Sequence, residues 1–239
     1  MKKFFEIING TFSSHNQHFI KNINLQISNK GGVICLLGPS GVGKTTILRT
    51  IAGLEKLNDG EIWLDGELLS SKNYSVDPEK RNIALSFQDN CLFPHKNVLE
   101  NIMLGMQRKT EKKKKKTIDD FLKLIKITNL KNKFPHEISV GESQRVSLVR
   151  ALVSSPELIL LDEPFSSIDQ ILKEDLQKIV KDIIKETNTS AIIVTHDPNE
   201  AFYLGDECGI IIDNELKQYD TPYNIYHFPK SLEVVNFLK

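Results

Sequence analysis

The sequence predicts an α/β fold: a mainly parallel sheet with crossover helices, an antiparallel β segment near its start and a helical segment inserted into it. Three observations carry this. Short apolar runs recur at 33–37, 83–87, 158–161 and 191–195, without the alternation of a half-wet strand, as strands covered on both faces require. Between them lie stretches with apolar residues at helical spacing, the sign of crossover helices. Gly38, Gln88, Asp162 and His196 each follow one of these runs, and a doubly wound sheet gathers its ligand beyond the carboxyl ends of its strands.

Taken in order, residues 4–27 hold the alternation Ile20-Lys21-Asn22-Ile23-Asn24-Leu25-Gln26-Ile27, which with an Asn9-Gly10 turn reads as antiparallel strands. Asn29 to Gly32 is a turn. Ile47, Leu48, Ile51, Ala52 and Leu54 share one helical face that ends at Asn58-Asp59-Gly60, and residues 61–69 read as a hairpin around Asp65-Gly66. Helical spacing governs 98–106, 117–127 and 142–153, so a helical subdomain over about 89–155 is expected inside a core of about 1–88 and 156–239. The lysine run 112–116 has no interleaved aromatic residue to stack on bases, so it reads as a solvated helix entrance and no nucleic-acid partner is expected. A helix over 171–184 and a strand over 209–212 complete the core.

With 239 residues and 40% hydrophobic content the chain can bury a sizeable core. Its 31 basic residues equal its 31 acidic ones, so no global field draws it to nucleic acid or an acidic membrane. No apolar run reaches the roughly 18–20 residues that span a bilayer, and the Met1-Lys2-Lys3 start lacks a signal-peptide core, so a cytoplasmic location is expected. Cys35, Cys91 and Cys208 are widely separated and show no ligand-like pairing.

The stretch Gly38-Pro39-Ser40-Gly41-Val42-Gly43-Lys44-Thr45, between a buried run and a helical pattern starting near Thr46, is a phosphate cradle. Backbone amides of its glycines converge on phosphate oxygens at a helix N-terminus. Lys44 reaches the β- and γ-phosphates, and the Thr45 hydroxyl suits Mg²⁺, a hard cation that prefers oxygen. Asp162 stands where a carboxylate holds that Mg²⁺ directly or through water. Glu163 is placed to orient and deprotonate a water attacking the γ-phosphate.

With those residues in hand, Ile138-Ser139-Val140-Gly141-Glu142-Ser143-Gln144-Arg145 resembles the signature motif of ABC-type ATPases, and the resemblance covers nearly the whole chain. It implies a P-loop NTPase core of RecA-like type with an antiparallel β subdomain and an inserted helical subdomain. It also implies that Gln88 is the Q-loop glutamine touching metal and attacking water, that 166–169 is the D-loop, and that His196 is the switch histidine. In this family two such domains, identical or similar, close head to tail on two ATP molecules. Ser139 and the Gly141 amide would then donate to the partner's γ-phosphate. An early aromatic residue usually stacks on adenine, and Phe12 or His15 fills that role here. Val140 departs from the family's usual glycine and Glu142 from a frequent glutamine.

The segments 92–101 and 144–152 resemble the subfamily serving importers of iron(III), polyamines, maltose, sulfate or molybdate, which pairs with transmembrane permease subunits. The chain stops soon after 219–226, so the C-terminal regulatory domain many of those carry is not expected. The expectation is an ATP- and Mg²⁺-dependent ATPase held on the inner face of the membrane by its permease. The rival is an ABC ATPase that works without one.

Overall fold

The computed structural model describes residues 3–13, 19–87, 91–106 and 111–239. In chain order, β1 (Phe5–Ser13) and β2 (Phe19–Ile27) precede β3 (Val33–Leu37), α1 (Lys44–Ala52), β4 (Asp59–Leu64), β5 (Glu67–Ser71), the short β6 (Tyr74–Ser75) and β7 (Ile83–Ser86). Helices α2 (Val98–Met103), α3 (Glu111–Leu124) and α4 (Val140–Val153) follow. Then come β8 (Leu158–Asp162), α5 (Gln170–Thr187), β9 (Ser190–Thr195), α6 (Pro198–Leu204), β10 (Glu207–Ile212), β11 (Glu215–Asp220), α7 (Pro222–His227) and α8 (Leu232–Phe237).

The larger sheet has the order β11-β10-β3-β9-β8-β7, parallel throughout except for β11. Its central strands β3, β8 and β9 are buried at every position and mostly apolar because each face packs on a different core. Cys35, Leu37, Ile159, Leu161 and Ile193 face the core made with α2, α4 and α5, while Ile34, Leu36, Leu158, Leu160, Ile192 and Val194 face the one made with α1 and the antiparallel sheet. Successive side chains of a strand point to opposite faces, so two covers turn alternation into a continuous run. The antiparallel edge strand β11 lacks that signature: its residues are mostly half-buried and polar, which is why periodicity does not announce it.

The second sheet is antiparallel, in the order β2-β1-β4-β5-β6. Asn9-Gly10 is no turn within it. It is a bulge inside β1, with register shifts on either side of Gly10 against β2. Asn9 takes φ 49° and its N–H donates to Asn24 Oδ1 at 2.9 Å. A side chain on Gly10 would strike Ile7 and the Phe12 ring, so the glycine serves close packing here. The hairpin at Asp65-Gly66 does form between β4 and β5, with both residues at positive φ, the geometry that matches strand twist in a two-residue turn.

Between β7 and β8 the described chain is helical. α2 opens with a capping box in which Asn97 and Glu100 exchange hydrogen bonds, and α4 opens with the same device from Ser139 and Glu142. α2 ends at Met103 and tightens into a 3₁₀ turn over Leu104–Met106. α3 begins at Glu111, ahead of the expected 117, because lysines favour helix without adding any apolar period to reveal it.

One buried cation ties the two sheets to α1. Arg81 is 4% exposed, and its hydrogen-bond partners among the described residues are carbonyls and hydroxyls, with no carboxylate. Its guanidinium donates to the carbonyls of Thr50, Ile51, Leu69 and Val76 and to the hydroxyls of Ser70 and Ser75, at 2.7–3.2 Å. Removing the donor orphans several buried acceptors, each at roughly 1–3 kcal/mol. Arg81→Met is therefore expected to lower unfolding stability by about 3 kcal/mol or more, read as a drop in the denaturant midpoint by circular dichroism. A loss under about 1 kcal/mol would mean that water replaces the guanidinium.

Candidate active site

β3, β9 and β8 are neighbours in register: Leu37 lies beside Thr195, and Val194 beside Asp162. Their carboxyl ends thus stop at one level, and with strands about 4.8 Å apart the residues that follow them fall within roughly 10 Å. These residues are the cradle, His196, and the Asp162-Glu163 pair.

The cradle wraps the N-terminus of α1. Gly43 is the N-cap at φ 96°, a conformation that disfavours a side chain, and makes no side-chain cap, so the first-turn amides stay available. Gly38 has no room for a Cβ, which would lie 2.3 Å from the Ile211 carbonyl oxygen. Val42 anchors the loop in the apolar core while Pro39, Ser40 and Gly41 remain exposed. Lys44 is 4% exposed, and its ammonium donates to the Gly38 and Pro39 carbonyls at 2.7 and 2.8 Å. Burial lowers its pKa, against the attraction of Glu163 and Asp162. Thr46 continues the helix and accepts from Thr50 through its carbonyl.

Asp162 closes β8 and is 5% exposed. Burial raises its pKa above the usual carboxylate range, and the nearby Glu163 adds to this; a hydrogen bond from the Thr45 hydroxyl and the charges of Lys44 and Arg49 oppose it. A hydroxyl and a buried carboxylate in contact are hard oxygen donors. They fit Mg²⁺, which binds through one or two such groups plus phosphates and water. Among the described residues no group of three or more His, Cys, Asp or Glu side chains could hold a metal ion.

Glu163 leaves β8 at φ 46°, a region costly for a non-glycine residue and frequent at functional sites. Its N–H donates to the Val194 carbonyl at 2.9 Å, and its Oε2 lies 3.2 Å from His196 Nδ1. The carboxylate is 13% exposed and the imidazole 56%, so the pair faces outward from the strand ends. Behind His196 is a charged network that the sequence did not announce. Lys173 of α5 pairs with Asp197 at 2.8 Å and Glu200 at 2.6 Å, while Thr195 donates to Glu200 and accepts from the Asp197 N–H. It fixes both neighbours of the histidine. A lysine and a glutamate in the first turns of two helices read as surface charges in a sequence, and only the packing of α5 on α6 brings them together.

Ser139 and Gly141 do not join this cluster within the chain. The Ser139 hydroxyl accepts from the Glu142 N–H, and Glu142 returns the bond to the Ser139 N–H; that bond holds its carboxylate below the usual range. Gly141 abuts the Ser167 carbonyl, 3.0 Å from where a Cβ would stand. Phe12 is likewise elsewhere: its ring is fully buried in the antiparallel sheet's core, opposite Ile20, and offers no free face to a base. The physical reason is the bulge at Gly10, which lets that ring fold inward. Gln88 and His15 lie outside the described residues.

The family model described as ABC transporter matches residues 20–166. The chain is 39% identical over 226 residues to the Fe(3+) ions import ATP-binding protein FbpC of Haemophilus influenzae, covering 94% of this chain and 64% of that protein. It is 36% identical over 229 residues to the sulfate/thiosulfate import ATP-binding protein CysA of Neisseria meningitidis, with 93% and 63% covered. It thus spans under two thirds of the length of these relatives. Among solved structures, the dimeric post-hydrolysis state of the ATP-binding cassette MJ0796 bound to ADP and Pi superposes with a TM-score of 0.78 at 26% identity, over 91% of this chain and 98% of that one.

The raised pKa of Asp162 has a consequence for stability. A carboxyl whose folded pKa lies above its unfolded one costs folding energy once pH exceeds that range, because the folded chain holds the charge less readily than the unfolded one. Asp162→Asn keeps an acceptor for Thr45 and removes the buried charge. The melting temperature of the nucleotide-free protein is expected to rise at pH 7.5, each kcal/mol of relief appearing as about 2–4 °C, and the gain to shrink as pH falls into the carboxylate range. Scanning calorimetry at both pH values checks this; a lower melting temperature at pH 7.5 would mean that Asp162 is held favourably ionised.

Proposed function

Because the chain belongs to the ABC transporter family, we propose that it is the ATP-binding and ATP-hydrolysing subunit of an importer, acting as a pair with its nucleotides between the two copies. The observation that carries this is the meeting of Lys44, the Thr45–Asp162 pair and the Glu163–His196 pair at the carboxyl ends of three adjacent strands.

In this reading the cradle amides and Lys44 bind the triphosphate. Lys44 exchanges the Gly38 and Pro39 carbonyls for phosphate oxygens, and a buried cation gains more from a phosphate than from two neutral dipoles. Thr45 and Asp162, with Gln88, would hold Mg²⁺, which when bound neutralises charge on the β- and γ-oxygens. Glu163 accepts the proton of the attacking water. His196 holds that carboxylate in place and faces the γ-phosphate. Ser139 and the Gly141 amide serve the partner copy's nucleotide: Ser139 caps α4 through its oxygen, and its hydroxyl, which also lies against the Glu142 carboxylate, would turn to donate to that nucleotide.

The helices over about 89–155 form the subdomain that meets separate membrane-spanning subunits. A cleft of about 630 Å³ supports this, since its lining joins Leu85 and Phe87 of the parallel-sheet side to Phe93, Met106 and Arg150 of the helical side. Among the described residues no helix is long and apolar enough to cross a membrane; in this reading the separate subunits hold the protein at the inner face of the membrane.

Glu163→Gln is expected to keep ATP affinity and lose turnover by about a thousandfold, as removal of a general base from a pre-organised site does, with ATP-bound dimers accumulating in light scattering. Wild-type turnover in that variant would overturn the assignment. Val140 generates a second test, because it is 64% exposed at the first turn of α4 and packs on little within its own chain. In the Glu163→Gln background, Val140→Gly is expected to tighten ATP-dependent dimerisation about tenfold, equivalent to about 1.4 kcal/mol. Equal or weaker dimerisation across a concentration series would show that the partner accommodates the valine.

A further inference from the structure

Gln144 is a polar side chain, 4% exposed, in the second turn of α4. Its neighbours account for both ends of the amide. Nε2 donates to the Glu163 carbonyl at 2.8 Å and lies 3.4 Å from Ser166 Oγ, while Oε1 accepts from the Ser167 N–H at 3.1 Å. The Glu163 carbonyl also accepts from Ser166 Oγ at 3.1 Å and from the Ser166 N–H at 3.3 Å. The residue with the strained positive φ is therefore fixed on both sides: its N–H by Val194 of β9, and its carbonyl by a side chain from a helix outside the sheet.

Gln144 lies three residues after Gly141 and five after Ser139, little more than one helical turn from the end of α4. The same turn is braced on the far side of the loop, where Gly141 abuts the Ser167 carbonyl. One rigid helix thus holds the loop that follows Glu163 at two points, while its N-terminus carries the residues proposed to meet the partner copy's nucleotide.

We propose that Gln144 is a positioning residue for hydrolysis, its amide setting the backbone of Glu163 according to where the first turn of α4 lies. This rests on Glu163 as the catalytic base. A shift of α4 is passed to the Glu163 backbone through one short hydrogen bond, and a misplacement of about 1 Å at a general base costs on the order of a hundredfold in rate. Placing the partner's nucleotide against α4 would then align the base in the opposite site. Gln144 touches no phosphate in this scheme, so its loss leaves nucleotide binding intact.

The test uses the full chain with Mg-ATP. Gln144→Met keeps the volume and removes both hydrogen bonds; kcat is expected to fall at least about tenfold while KM for ATP stays within about twofold. The decisive arm is the double variant. If Gln144 acts through Glu163, Gln144→Met costs nothing further in single-turnover hydrolysis once Glu163→Gln has removed the base. A proportional loss in both backgrounds, or a wild-type kcat in Gln144→Met, would overturn the proposal. Wild-type turnover in Glu163→Gln alone would instead overturn the reading of Glu163. Should Gln144→Met fail to fold, Gln144→Glu keeps volume and the acceptor for Ser167 while setting an oxygen against the Glu163 carbonyl, and the same split of kcat from KM is expected and read in the same way.

Discussion

Everything at the site depends on the register of three parallel strands. Hydrogen bonding between β3, β9 and β8 aligns Leu37 with Thr195 and Val194 with Asp162, so the glycine loop, the histidine and the carboxylates are delivered to one place by backbone pairing alone. Slip of any strand by one residue would turn every side chain to the opposite face and drop Asp162 out of reach of Thr45. Two separate apolar cores oppose such a slip, because each strand has committed alternate residues to each of them. The chemistry is in the loops, and its precision is inherited from the packing beneath.

That packing also sets the electrostatics. Lys44 and Asp162 are both buried, and burial works against the charged form of each. The Lys44 cation is attracted by both Asp162 and Glu163, while the two carboxylates repel one another, so the compensation is partial. The site is thus built with its charged forms held at a cost, which the proposed nucleotide and its cation would relieve. Glu163 adds a second reservoir in its backbone at φ 46°, kept there by hydrogen bonds from β9, α4 and its own loop. Stability surrendered in this way is ordinary at sites that bind phosphate.

The sequence carried the parts of this arrangement that are local. A glycine loop between a buried run and a helix, an Asp-Glu pair after an apolar run, and a histidine after another are written in consecutive residues, and their convergence follows from the rule that parallel sheets use their carboxyl ends. Long-range partners were not legible. Nothing in Gln144, Glu200 or Arg81 announces burial, nor in Lys173 its ion pairs, since each is polar and sits at a position a helix or loop could leave wet; their roles appear only when distant elements pack. Phe12 and Asn9-Gly10 misled for the opposite reason. An aromatic ring and a turn dipeptide have strong local meanings, and the bulge in β1 overrode both.

Arg81 gives α1 an unusual electrical setting. The carbonyls of Thr50 and Ile51, in its last turn, accept from a buried guanidinium, while its first-turn amides face the glycine loop. A helix of this kind is a dipole of roughly half a charge at each end, and here the negative end is already matched by a fixed cation inside the protein. An anion at the other end completes a charge–dipole–charge stack along a nine-residue helix, so α1 works less as a spacer than as a polarised strut clamped between opposite charges. The antiparallel sheet, which supplies Leu69, Ser70 and Ser75 to hold that guanidinium, thereby becomes the anchor against which an anion bound at the other end would pull.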